Sequence, residues 1–131
     1  MKSFKNKTLA TLLAAVGGTL GLHRFYLHGT GDWRGYAYPA VTLAGMLGAL
    51  VWLPLLTIAL AVPITGFLEA LNFALNPDAR WDQRWNAGSG RENDSGWAVI
   101  IIAILTLAIG ATLLLSALAI GLQTYFELAA R

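Results

Sequence analysis

The chain is expected to be an all-α, polytopic helical membrane protein with three or four apolar segments. Composition comes first: of its 131 residues, 56% are hydrophobic and only 12% charged, about half the ~25% charge of a soluble domain. So little polar surface does not cover a globule of this size, and a bilayer is the solvent that suits it. Second, long stretches carry almost no charge: Tyr36 to Leu75 holds Glu69 alone, and Trp97 to Leu122 holds none. Third, Lys2, Lys5 and Lys7 crowd the N-terminus without an acidic partner, the pattern of a cytoplasmic end beside a membrane span.

The first apolar segment covers about 8–27. As one helix, Leu9 to Leu27 would reach ~28 Å, just enough to cross, although Gly17, Gly18 and Gly21 weaken it and invite a break in its second half. A secretory signal also joins basic residues to a short apolar run. Here the run continues through Gly17-Gly18 without a convincing small-x-small cleavage site, so cleavage is not expected. His28-Gly29-Thr30-Gly31-Asp32 then reads as a tight turn, and Trp33, Tyr36 and Tyr38 suit an interfacial aromatic belt.

A straight helix from Tyr36 to Leu75 would be ~60 Å long, about twice the hydrocarbon thickness. Pro54 and Pro63 are the available break points. A hairpin of segments 36–53 and 55–75, meeting near Trp52-Leu53-Pro54, is expected; a single kinked, tilted helix is the alternative. A polar surface loop follows over 76–96. Trp81 and Trp85 are spaced so that a short amphipathic helix on the membrane surface would bury both. The last span begins at Trp97 and ends in a short amphipathic tail, so 97–131 forms an added transmembrane helix beside a membrane domain over 1–86.

Topology leaves two alternatives. Segment length favours four crossings. The positive-inside rule favours three, with the N-terminus and the arginines of the 76–96 loop on one side.

The run Gly18-Thr19-Leu20-Gly21-Leu22-His23-Arg24-Phe25-Tyr26-Leu27, soon after a lysine-rich N-terminus, resembles the signature of the TM-2 domain family (bacterial NINE-type small membrane proteins). Pro63-Ile64-Thr65-Gly66-Phe67-Leu68-Glu69-Ala70 resembles that family's second apolar region with its acidic residue, and Asn76-Pro77-Asp78-Ala79-Arg80-Trp81 its polar coda. The resemblance runs from Lys5 to Asn86. Thr19 and His28 stand where glycines are customary, and the middle stretch is longer than usual. The resemblance implies a multi-pass protein of a bacterial inner (plasma) membrane, with a cytoplasmic N-terminus. It carries no general biochemical activity with it.

Independently of that likeness, Arg24 and Glu69 stand out. An isolated charge near the bilayer centre costs at least ~2.5–3.5 kcal/mol, so such residues pair or face a wet cavity. Arg24 and Glu69 are expected to interact, with His23 and Tyr26 nearby. Thr65, Glu69, Asn72 and Asn76 recur at helical spacing and form a polar stripe, which must face protein or water. His23, His28 and Glu69 offer a proton-relay or metal constellation, but two histidines are too few for a metal claim. Ala10, Ala14 and Gly18 in the first segment, and Ala103, Thr106, Gly110, Ala117 and Gly121 in the last, give small-residue faces suited to internal packing or to self-association.

No enzyme signature is visible. The glycines lack the strand context and spacing of a dinucleotide fingerprint, no phosphate loop exists, and no serine has a neighbouring base. There is no cysteine, which excludes thiol chemistry. Basic residues are too sparse for nucleic acid, no cofactor is called for, and the lipid bilayer is the one partner the composition requires. The expected function is therefore that of a structural, interaction or accessory membrane protein packed through polar intramembrane residues. The alternative is a homo-oligomeric ion channel or transporter, its path lined by Glu69, Asn72 and the His23/Arg24 cluster.

Overall fold

Asn6 starts the first helix. Its Oδ1 accepts a hydrogen bond from the Leu9 N–H at 2.9 Å, satisfying one of the free donors of a helix N-terminus, and α1 runs Lys7–Gly17. In this computed structural model, which describes residues 3–131, every regular element is helical. A 3-10 turn over Gly18–Leu20 follows α1, and Gly21 closes it in the left-handed region at φ 69°. A side chain at Gly21 would be strained by that φ and would also strike the Gly35 carbonyl. That carbonyl is free of helix duty because Pro39, four residues on, has no N–H to give it.

Helix α2, Leu22–His28, then runs back toward the chain's beginning. The Tyr26 hydroxyl accepts from the Asn6 N–H at 2.7 Å, and the Lys5 ammonium donates to the Tyr26 carbonyl at 2.7 Å. The 8–27 segment expected as one helix is thus a hairpin of two short ones, ~16 Å and ~10 Å long. The glycines do more than weaken the helix: they permit the chain to reverse.

Asp32 caps the next helix by accepting from the Arg34 N–H at 3.1 Å, and α3 spans Trp33–Ala49. The chain turns at Trp52 through a 3-10 segment over Leu53–Leu55, with Pro54 in its first positions, where a missing N–H costs nothing. It returns as α4, Leu56–Leu75. The hairpin expected near Trp52-Leu53-Pro54 forms there, and Pro63, the other available break point, lies inside α4. Helix α5, Asp78–Trp85, crosses the end of the bundle, and α6, Gly96–Ala129, runs the length of α4 in the opposite direction. Asp78 meets Ser95 at one end of that pair, Gly110 lies against Phe67 midway, and Trp52–Pro54 shares a cavity with Ile120, Gln123 and Glu127 at the other. The amphipathic tail continues α6 instead of leaving it.

Helix α4 is the centre, packed against α1, α3 and α6. The contact with α1 is made by backbone: a Cβ on Gly18 would sit 3.0 Å from the Gly66 Cα. Ala10 and Ala14 are fully buried beside it, so the small-residue face of α1 packs inside the chain. On α6, Thr106 is buried and Gly110 meets Phe67, while Gly121 has open space before it. The buried apolar residues are few and mostly small, among them Ala14, Ala59, Val62, Ala70 and Val99; Ala10, Leu27 and Trp81 form one cluster, with Tyr26, Phe73 and Trp85 against it. Large apolar side chains instead cover the outside, from Val16 and Val51 to Ile104 and Leu115. Two helical stretches, Leu53–Leu75 and Gly96–Ala129, are long and apolar enough to cross a membrane by length and composition.

Candidate polar site at the N-terminal end of the bundle

Glu69 is two turns from the C-terminus of α4 and receives side chains from two other helices. His23, the second residue of α2 and 1% exposed, sets its Nε2 on the Glu69 carboxylate. The Tyr38 hydroxyl, from α3, donates to the same oxygen at 2.8 Å. The Arg24 Nη1 stands 3.6 Å from the other oxygen, while its Nε donates to Asp32 at 2.9 Å. A buried carboxylate is stable only when its charge is matched and its lone pairs are occupied, and here one carboxylate ties α2 and α3 to α4. The His23 ring stands edge-on to Tyr38, with centroids 5.3 Å apart. Its other nitrogen, Nδ1, is buried without a partner.

Beside this cluster lies a cavity of about 230 Å³ between α2, α4 and α5. His23, Arg24 and Glu69 form one wall, and Asn72 and Asn76 another. Phe73, Trp81, Trp85, His28 and Arg84 complete it. His28 stands edge-on to Trp85, with ring centroids 5.2 Å apart.

The structure gathers most of the residues that sequence patterning marked, and separates two, Tyr26 and Thr65. His23, Arg24, Glu69, Asn72 and Asn76 share the cavity wall, with His28 on its far side. Tyr26 does not join them, because its hydroxyl and carbonyl hold residues 5 and 6. Thr65 is exposed and returns its hydroxyl to the Ala61 carbonyl at 2.9 Å, so the stripe does not continue through it. His28 and His23 do not converge on one point, and among the described residues no group of three His, Asp or Glu side chains could hold a metal ion.

Two sets of residues escape the sequence reading. Tyr38 reads as a belt aromatic, yet its hydroxyl is part of the cluster. The other set is a latch between the N-terminus and the 76–96 loop. The Lys5 carbonyl accepts from Trp81 Nε1 at 3.0 Å, Asn86 Nδ2 at 3.0 Å and Asn93 Nδ2 at 3.2 Å. The Lys5 and Lys7 N–H groups donate to the Asn86 and Asn93 side-chain oxygens at 2.6 and 2.8 Å. Lys7, almost wholly buried, pairs with Asp78 at 2.8 Å, and Asp78 also accepts from the Ser95 hydroxyl and N–H. Asp82 accepts from Asn86 and Asn93. Burial raises the Asp78 carboxyl pKa, but the bonds from Lys7 and Ser95 outweigh it and hold the group below the usual carboxylate range. Asp82 is held low in the same way, burial being outweighed by the Asn93 N–H and the two asparagine amides. Trp81, expected on the membrane surface, is fully buried under this latch.

Compared with protein-family models, with curated proteins and with solved structures, the chain matches none.

Proposed function

We propose that this chain is a small multi-pass membrane protein of structural or accessory type, whose intramembrane polar residues serve to hold its helices together. The observation that carries this reading is the state of Glu69: its two oxygens already face His23, Tyr38 and Arg24. A carboxylate so engaged is helix glue of the kind expected where hydrocarbon offers no other partner.

The same reading includes three crossings, by α3, α4 and α6, with α1 and α2 forming a re-entrant hairpin. Helix α3 is the shortest of the three at ~26 Å, close to the hydrocarbon thickness. Charge supports this arrangement. Lys5, Lys7, Arg24, Arg34, Arg80, Arg84 and Arg91 gather at the end of the bundle bearing the latch, and Arg131 lies at the other. The positive-inside rule then makes the latch end cytoplasmic. The 34 residues of α6 would span ~51 Å, well beyond the ~30 Å of hydrocarbon, so its C-terminal turns extend past the bilayer. The likeness to the TM-2 domain family is supported by contact between its two separate motifs, His23-Arg24 and Glu69. A bacterial plasma membrane follows from that likeness.

The channel reading has weaker support, because Thr65 leaves the stripe and Glu69 faces partners within its own protomer. Proton flux through liposomes, measured for wild type and Glu69→Gln beside their unfolding midpoints in detergent, separates the two. No flux from either protein, with a lowered midpoint for Glu69→Gln, is the expected result. Wild-type flux that disappears in a Glu69→Gln protein of unchanged stability would overturn the reading.

A further inference from the structure

We propose that the cavity between α2, α4 and α5 is a binding site for a phosphate group, presented by an anionic lipid headgroup or by free phosphate. The cluster around Glu69 explains one wall of this cavity and leaves the others without a role. The charges within the site do not cancel. Glu69 is matched by His23 and Arg24, while Arg84 lies over the Trp85 ring at 5.2 Å and, among the described residues, forms no salt bridge. The surplus is a guanidinium, the side chain whose planar fork suits phosphate oxygens best.

The uncommitted donors come from different directions. Arg84 approaches from α5, His28 from α2, and the Asn72 and Asn76 amides from α4. Neither amide is committed to another side chain among the described residues. Donors spread over three helices suit a tetrahedral group with oxygens on every side better than a planar carboxylate. The buried, unpartnered Nδ1 belongs to His23, itself part of the wall. A buried polar atom without a partner is rare: with Nε2 donating to Glu69, Nδ1 of the neutral ring is an acceptor, and a water bound in the cavity would donate one proton to it and the other to a phosphate oxygen. Trp85, which is only partly buried, gives the remaining wall an apolar face against which the carbon of a headgroup would lie. Recognition of phosphate does not depend on the membrane reading; only the lipid as its source does.

The test follows thermal unfolding of the full-length protein, purified in a phosphate-free detergent. The additions are a short-chain phosphatidylglycerol, the diacylglycerol of equal chain length, and inorganic phosphate against chloride at matched ionic strength. Phosphatidylglycerol is expected to raise the midpoint and diacylglycerol to leave it unchanged. Arg84→Gln removes one charge-assisted contact and should raise the half-saturating concentration about tenfold. Asn72→Ala, a change at an exposed position that removes one amide donor without adding a charge, should also weaken the response several-fold while the ligand-free midpoint stays close to wild type. If inorganic phosphate alone gives the full shift, the site takes soluble phosphate. If only the lipid does, the headgroup is the source. An equal response to diacylglycerol, an unaltered response in both variants, or no response to either phosphate source would overturn the proposal.

Discussion

Two polar networks hold the N-terminal hairpin to the rest of the chain, and they differ in the number of their bonds more than in their burial. One is the cluster of His23, Tyr38, Arg24 and Glu69 between helices. The other is the latch of Lys5, Lys7, Asp78, Asp82, Asn86 and Asn93 at the end of the bundle. In the first, few bonds are made, so each partner lost leaves a large share of the carboxylate's bonding unmet. In the second, many bonds are made among groups that are about as buried, so the loss of one leaves the others in place. Strength per residue should therefore lie with the cluster and redundancy with the latch.

The largest effect should come from the cluster. His23→Ala removes a buried imidazole from a partly exposed carboxylate and is expected to destabilise by about 2–3 kcal/mol. A double-mutant cycle with Glu69→Gln in reversible unfolding should show the two losses to be strongly non-additive. Additive losses would break the comparison, because the residues would then act separately.

Lys7→Met tests the latch at its most buried point. Its ammonium is nearly enclosed, and Asp78 is exposed to about the same extent as Glu69, but Asp78 keeps both bonds from Ser95 when Lys7 is lost. A loss of about 1–2 kcal/mol is expected. A loss equal to that of His23→Ala would mean that the remaining bonds of the latch do not compensate.

The smallest effect should be the acid response of the latch. Asp78 and Asp82 have lowered pKa values when folded, so their contribution is fully present above the ordinary carboxylate value, about 3.9. It is lost as pH falls through the lower folded values. Unfolding midpoints should drop below about pH 4, and the drop should be shallower in a variant carrying both Asp78→Asn and Asp82→Asn. A variant with the wild-type slope would place the acid response elsewhere.

The two networks were not equally legible. Arg24 and Glu69 announce themselves because a charge in an apolar run is costly enough to demand a partner, and the structure brings those two together with His23. Tyr38 gives no such signal, since an aromatic at a helix start suits an interface equally well. The latch is hidden for the opposite reason. Asparagines and aspartates in a polar loop are ordinarily solvated, so composition does not mark Asn86 or Asn93 as partners of residues 5 and 7. The Thr65 to Asn76 stripe was half legible. Helical spacing puts these residues on one side of α4, but the side chain of Thr65 binds its own helix backbone.

The sequence by itself determined the helical class, the break after Trp52 and the residues whose charges need partners. Each of these follows from local chemistry: hydropathy, a proline's missing donor, or the cost of burying a charge. Only the tertiary structure decided the direction of the chain after Gly21. A run of apolar residues interrupted by glycines can kink and continue, or it can reverse. What selects reversal is remote from the glycines: Tyr26 holds Lys5 and Asn6, Gly18 lies on Gly66, and His23 sits on Glu69. Those contacts join residues far apart in sequence, and no local pattern encodes which of them will meet.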